Sequence, residues 1–314
     1  MDSARRIVPP IVIPLLAVVA IAGYLLGSHR ASASSTRSSS ATPTGSRQVI
    51  SGSSLLLEYP LGWRSTAATQ TIPGLALADP LLIAPSGDAA HAGLLAGELP
   101  SGAPSPLPAA FLALVHGLPI TEILALAKLQ IYKYSGLSGY DRTLDVYVTV
   151  TGASSPTALV CYASNRYSSY LQQCGQIVAK LSLVRGQSAA ELSPDASYAA
   201  QLSALITALD GERLKLRREM HLRASAVVTL AARLARRYAG AAVSVAALEP
   251  PSAASAAQAA LASALRAARS AYRALAAAGT SQATEVDVQQ RVQKAEAAVD
   301  SALENFALLG YNHT

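Results

Sequence analysis

The sequence predicts an α+β protein in three parts: an N-terminal transmembrane helix, an antiparallel-sheet sandwich and a C-terminal three-helix antiparallel bundle. Three observations carry that prediction. Residues 7–27 form a run of 21 with no charged side chain. From Val49 onward, short apolar runs alternate with Gly, Pro, Asn and Ser, the pattern of strands and turns. After Ser193, apolar residues recur every three, four or seven positions, the pattern of packed helices.

The uncharged run follows Arg5 and Arg6 and stops at His29 and Arg30. At about 1.5 Å per residue, a helix over 7–28 just crosses a hydrocarbon core roughly 30 Å thick. Pro9 and Pro10 fall at its start, and Pro14 is expected to kink it. The run also fits a secretory signal with a cleavage site at Ala31-Ser32-Ala33. Signal cores usually span about 7–15 residues, so the length favours a retained anchor; secretion after cleavage near Ala33 is the alternative. Residues 1–6 are expected in the cytoplasm and the bulk of the chain outside, because a basic pair at the extreme N-terminus is the usual export geometry. Arg30, Arg37 and Arg47 on the far flank oppose that count. Residues 31–47 hold ten Ser or Thr and no large apolar side chain, so 29–47 is expected to be a flexible tether.

The formal net charge of +6 invites a nucleic-acid partner, but the surplus is not spread over a folded face. Residues 1–47 carry five Arg against one Asp, 48–190 seven charges of each sign, and 191–314 thirteen basic against eleven acidic. A nucleic-acid partner is therefore not expected. The densest basic stretch, 213–237, has eight basic residues against Glu219. Arg213, Arg217 and Arg218 are its candidate surface residues, as a solvated helix face or as a face drawn to anionic lipid or acidic wall polymer.

Residues 48–186 read as one α/β domain. Strands are predicted within 54–60, 75–84, 91–99, 126–135, 144–152 and 157–164, with helical pattern at 108–115 and 167–181. In 144–152, Leu144, Val146, Val148 and Val150 share one parity, and Asp145, Tyr147, Thr149 and Thr151 the other. Such alternation suits a sheet covered on one face and partly wet on the other. Tyr59-Pro60-Leu61-Gly62-Trp63 after the first strand, the paired central strands, a closing helix and a short apolar strand end resemble the PsbP-like α/β/α sandwich family over about residues 48–186. The resemblance implies a central antiparallel sheet with helices on its faces. It also implies a binding or scaffolding role without a shared catalytic residue, and bacterial members are commonly exported or membrane-tethered. It carries over no functional residue. Taken by itself, the motif is a strand end, a Pro-fixed turn and an aromatic plug, Trp63, for the core.

Residues 193–310 read as helices. Ser193-Pro194 offers an N-cap and a Pro in the first turn. Tyr198, Leu202, Leu205, Leu209, Leu216, Met220, Val227, Leu230, Leu234, Tyr238, Val245 and Leu248 then form one seam of about 50 residues, with Gly211 as its expected weak point. Glu249-Pro250-Pro251 ends that helix. A second follows through Leu261, Leu265, Ala268, Tyr272 and Leu275 to Gly279. A third follows through Val288, Val292, Ala295, Val299, Leu303 and Phe306 to Gly310. Self-association through the long seam is a further expectation if part of it stays uncovered.

Chemistry-bearing residues are few. Cys161 and Cys174 are the only cysteines; a disulfide is expected in an oxidising compartment, and a pair of buried thiols otherwise. Their spacing lacks the short pairs of zinc sites, and the five histidines are isolated. Asp141 and Asp145 flank Arg142 in a predicted hairpin turn. No nucleophile elbow, phosphate loop or metalloprotease motif occurs. No catalytic, cofactor-binding or metal residue is expected, and no cofactor. Tyrosine is the oddity, 13 against two Phe. Tyr132, Tyr134 and Tyr147 are candidates for a face that stacks on a polysaccharide or partner protein; the alternative is a sheet edge buried under helices. These features predict a membrane-anchored extracytoplasmic binding or scaffold protein of the bacterial cell envelope, non-catalytic. Its expected partners are the membrane and an envelope protein or cell-wall polymer. An envelope enzyme or substrate-binding accessory is the alternative.

Overall fold

A computed structural model describes residues 46–311 except 51–53, 69, 116–118, 127, 140, 152–155, 223–225 and 279–281. The expected anchor over 7–28 and all but the last two residues of the expected tether lie outside the described residues. Among the described residues, no helix is long and apolar enough to cross a membrane.

Among the described residues, ten strands form two antiparallel sheets. The small sheet joins β1 (Ser46–Val49), β2 (Leu55–Tyr59) and β10 (Ser182–Leu183) in the order β1-β2-β10. Ser46 and Arg47, expected in the tether, are paired there with Tyr59 and Glu58. The large sheet contains β3 (Trp63–Ala67), β4 (Ala78–Pro85), β5 (Ala92–Glu98), β6 (Thr121–Leu126), β7 (Leu129–Gly139), β8 (Arg142–Thr149) and β9 (Thr157–Ser164). Its order is β3-β4-β5-β9-β8-β7-β6, each neighbour antiparallel. The hairpin predicted around Asp141 joins β7 to β8. Asp145 earns its place structurally, because Gly136 N donates to its Oδ1 (2.8 Å) where the β7–β8 register shifts.

Both faces of the large sheet are covered, including the one expected to be partly wet, where Tyr147 and Thr149 are buried, and side-chain parity decides which cover each residue meets. On one face, Ile83, Leu94, Ile131, Leu159 and Cys161 pack against the small sheet and α2 (Ser169–Val178). Trp63 plugs this layer beneath Tyr170, their rings 6.1 Å apart and edge to face. The turn before it closes by Trp63 N donating to Pro60 O (3.2 Å), with Gly62 at φ 94°. On the other face, Leu144, Val146 and Val148 point away from that layer, as their shared parity requires, with Leu95, Val160 and Tyr162 beside them. Part of this face is closed by Ile72, Leu75 and α1 (Ala109–Leu112). Gly74 lets that segment approach, since a Cβ there would meet the Phe111 backbone at 2.6 Å.

The C-terminal helices cover the rest. They are α3 (Ala196–Leu222), α4 (Val227–Ala246), α5 (Ser255–Ala278) and α6 (Gln282–Leu308). Among the described residues the bundle therefore has four helices where three are predicted. The single 50-residue helix is broken between Leu222 and Val227, and α4 folds back on α3, with Arg237 Nε 3.3 Å from Glu212 and Arg233 Nη1 4.0 Å from Glu219. A straight helix of that length would run about 75 Å and leave much of its seam in water. Folding back buries Leu202, Leu216, Leu230, Leu234 and Tyr238 within one chain. These seam residues are thus covered within the chain itself. Gly211 lies inside α3, on its exposed side, and does not mark the break.

Candidate functional site

The tyrosines proposed as a binding face lie inside the protein. Tyr132 is 2% and Tyr134 0% exposed, on the sheet face under the C-terminal helices, and Tyr147 is 4% exposed on the opposite face. The expected stacking surface is therefore not formed by these three residues. What the Tyr132 and Tyr134 hydroxyls do explains why tyrosine stands there in place of phenylalanine. Tyr134 donates to the carbonyl of Leu308 (2.7 Å), the last residue of α6, and Thr121 Oγ1 donates to Leu308 and Ala307 (3.2 and 3.1 Å). Carbonyls in the last turn of a helix have no partner inside it, and the sheet supplies them. Tyr132 donates to Leu192 O (3.1 Å), and Gln130 Oε1 accepts from Leu192 N and Ser193 N (2.5 and 2.9 Å). These bonds tie both ends of the helical region to β6 and β7. Burial, with Tyr311 nearby, pushes the Tyr132 phenol up; burial, with Tyr132 nearby, does the same for Tyr134. Burial, then the Asp145 and Glu122 carboxylates, push Tyr147 up to about 12. All three are protonated at neutral pH, and Tyr132 and Tyr134 act as donors.

This docking gives a stability prediction. Tyr134→Phe alone is expected to cost about 1 kcal/mol, because Thr121 still serves the Leu308 carbonyl. Combined with Thr121→Val, the loss should exceed the sum of the single losses, since the carbonyl is then orphaned. Urea unfolding of the four proteins measures the coupling, and strict additivity would contradict a shared acceptor.

Arg213 is likewise removed from the surface. It is 6% exposed and faces Glu296, itself 5% exposed. One residue from each helix meets here: Arg213 from α3, Tyr238 from α4, Tyr272 from α5 and Glu296 from α6. Tyr238 and Tyr272 both donate to Glu296 Oε1 (2.6 and 2.7 Å), their rings stacked 5.6 Å apart. Arg213 donates through Nε to Glu296 Oε2 (3.1 Å) and through Nη2 to the same oxygen. It also reaches Asp300 Oδ1 (2.9 Å) and Asp210 Oδ1 (2.8 Å). Arg217 is exposed, with Nη1 3.7 Å from Glu296 Oε2, and Arg218 is exposed on the next position. Of the three proposed surface arginines, two are at the surface.

Burial alone would raise the Glu296 pKa, but the hydrogen bonds from Tyr238, Arg213 and Tyr272 outweigh it and hold the carboxyl below its ordinary range. Burial would weaken the charge on Arg213; the facing Tyr238 and Glu296 outweigh that and raise its pKa. Burial and the Glu296 charge raise both phenols. Each carboxylate oxygen of Glu296 thus accepts two donors, which suits a fixed ion pair and leaves it poorly placed to accept a substrate proton. The chemical capacity of this layer is to set helix register. By periodicity alone Tyr238 and Tyr272 fall in seams and Arg213 in a charge cluster. Glu296 carries a weaker signal: a carboxylate four residues after Val292 and three before Val299 falls beside the same stripe.

Cys161 of β9 and Cys174 of α2 are joined in a disulfide, with Cα atoms 5.8 Å apart and both residues buried. It staples the sheet to its covering helix. Among the described residues, no group of three or more His, Cys, Asp or Glu is arranged to hold a metal ion.

These elements define an α+β protein with an antiparallel sheet enclosed by a disulfide-linked helix and small sheet on one side and by a helical layer on the other. The chain is similar to cyanobacterial PsbP (CyanoP) from Synechocystis sp. PCC 6803 in its solution structure, with 13% identity, 45% of this chain and 93% of that chain covered, and a TM-score of 0.29. No protein-family model matches the sequence, and no curated protein does.

Proposed function

We propose that the chain is a membrane-anchored, extracytoplasmic binding or scaffold protein of the bacterial cell envelope, with a PsbP-like sandwich over about residues 48–186 as its core. The observation that carries this reading is the Cys161–Cys174 disulfide, because such bonds persist in oxidising compartments and are rare in the cytosol. The uncharged run over 7–27 and the Ser/Thr-rich stretch after it supply the anchor and tether that such a protein needs.

The filled interior supports binding over chemistry. Both faces of the large sheet are packed with apolar side chains, and the buried ionisable layer in the helices has its donors and acceptors matched to one another. Contact with a partner then falls to the outer surface, to which the C-terminal helices contribute the exposed Arg217, Arg218, Arg236 and Arg237. Affinity isolation of the full chain from crosslinked membranes tests this. An envelope protein or wall-polymer fragment should be enriched over a membrane protein of equal abundance; enrichment of nothing from the envelope would contradict the reading.

A further inference from the structure

Two neighbouring helices of the bundle are charged in one sign. Between them, α4 and α5 carry Arg233, Arg236, Arg237, Arg266, Arg269 and Arg273 and no Asp or Glu. Arg233 and Arg237 turn toward Glu219 and Glu212 of α3. Arg236, Arg269 and Arg273 instead rim a groove of about 680 Å³ between α4 and α5, floored by alanines that include Ala232, Ala235 and Ala276. Among the described residues, none of these three arginines has an ion-pair partner. From Val228 to Ala239 the groove follows α4 for about 17 Å, or three helical turns.

We propose that this groove is the docking site for an acidic amphipathic helix of a partner protein. The proposal rests on the reading of the chain as a binding protein and names the chemistry of what it binds. The guest helix lays its apolar stripe on the alanine floor, where the small side chains let the backbones approach closely, and its flanking carboxylates meet the arginines. Arg269 and Arg273 sit one turn apart on one rim and Arg236 on the other, the placement that charges on both flanks of a helix seam require. Arginine favours this match because its guanidinium takes a carboxylate in two parallel hydrogen bonds.

Other occupants fit less well. The chain's own residues 1–47 carry five Arg against one Asp and would be repelled. A bilayer gains little from a groove lined by alanines and one valine, since interfacial helices bind through larger apolar and aromatic side chains.

A photoreactive amino acid at Ala277, on the groove wall, tests the proposal in the full chain in the membranes of cells that express it natively. The crosslinked peptide should come from another protein, lie in a helical segment and carry net negative charge. Its yield should fall at least tenfold in the variant Arg236→Glu/Arg269→Glu/Arg273→Glu. Ala232→Leu, which fills the floor and keeps every charge, should give a comparable loss. Both variants should unfold at the wild-type temperature by circular dichroism. Crosslinks to lipid or to a second copy of the chain, no crosslink in the wild type, or a yield indifferent to charge reversal would each overturn the proposal. Compartment does not enter this readout, so a protein found on the wrong side of the membrane would defeat the location reading and leave the groove standing, and the reverse holds too.

Discussion

Glu296→Ala should destabilise the protein by about 3–5 kcal/mol, the cost of leaving a buried charge without its partner. Arg213 would keep Asp210 and Asp300, but both are more exposed than Glu296, and the Tyr238 and Tyr272 hydroxyls would lose their common acceptor. Replacing the whole layer at once, with Arg213→Met, Glu296→Leu, Tyr238→Phe and Tyr272→Phe, should recover much of that loss, because buried ionic groups can be exchanged for apolar ones of similar volume. Acid should mimic the single substitution. The Glu296 carboxyl is held below its ordinary range in the folded state. Its contribution is therefore fully present above the unfolded carboxylate range and is lost as pH falls through the lowered value. In Glu296→Ala this part of the acid dependence should vanish. A urea-unfolding loss under about 1 kcal/mol would show that the layer does not hold the bundle.

Removing the disulfide should have the second-largest effect. Cys161 and Cys174 are 13 residues apart in sequence, and closing a loop of that length contributes about 3 kcal/mol in the chain-entropy account. Cys161→Ala/Cys174→Ala should lose about that much, while Ile177 and Val178 keep α2 on the sheet. Comparing urea midpoints of oxidised, reduced and double-alanine proteins measures it. The reduced and double-alanine forms should agree; equal midpoints for all three would mean that packing alone fixes α2.

The parts legible in the sequence are those whose signal is local. The alternation in 144–152 separated the two faces of β8 correctly but not their exposure, since the face expected to be partly wet buries Tyr147 and Thr149, and the paired prolines at 250 and 251 marked a real helix boundary. The two strands of the large sheet that escaped, β3 and β6, are its two edges. Each meets a neighbour on one side only, and their half-exposed residues blur the apolar alternation that reveals an inner strand. The break before Val227 escaped because no Gly or Pro marks it; the seam continues across and only tertiary packing decides that it folds back. Tyrosine misled for a related reason. A ring that buries its body and lends its hydroxyl to a distant carbonyl has the same local signature as a ring at the surface. The partners of Tyr134 and Arg213 lie 174 and 83 residues away, beyond any periodicity. The basic face was partly visible: counting charge helix by helix, and not over 213–237, would have singled out α4 and α5.

The most direct test of the account is the side of the membrane on which the folded part stands. Both native cysteines are buried and bridged, so they are poor reporters. Ile120, 87% exposed before β6, is a good one. In Ile120→Cys, a membrane-impermeant maleimide added to intact cells should label the chain as fully as it does after permeabilisation. Labelling only after permeabilisation would place the folded part in the cytoplasm and contradict the extracytoplasmic reading.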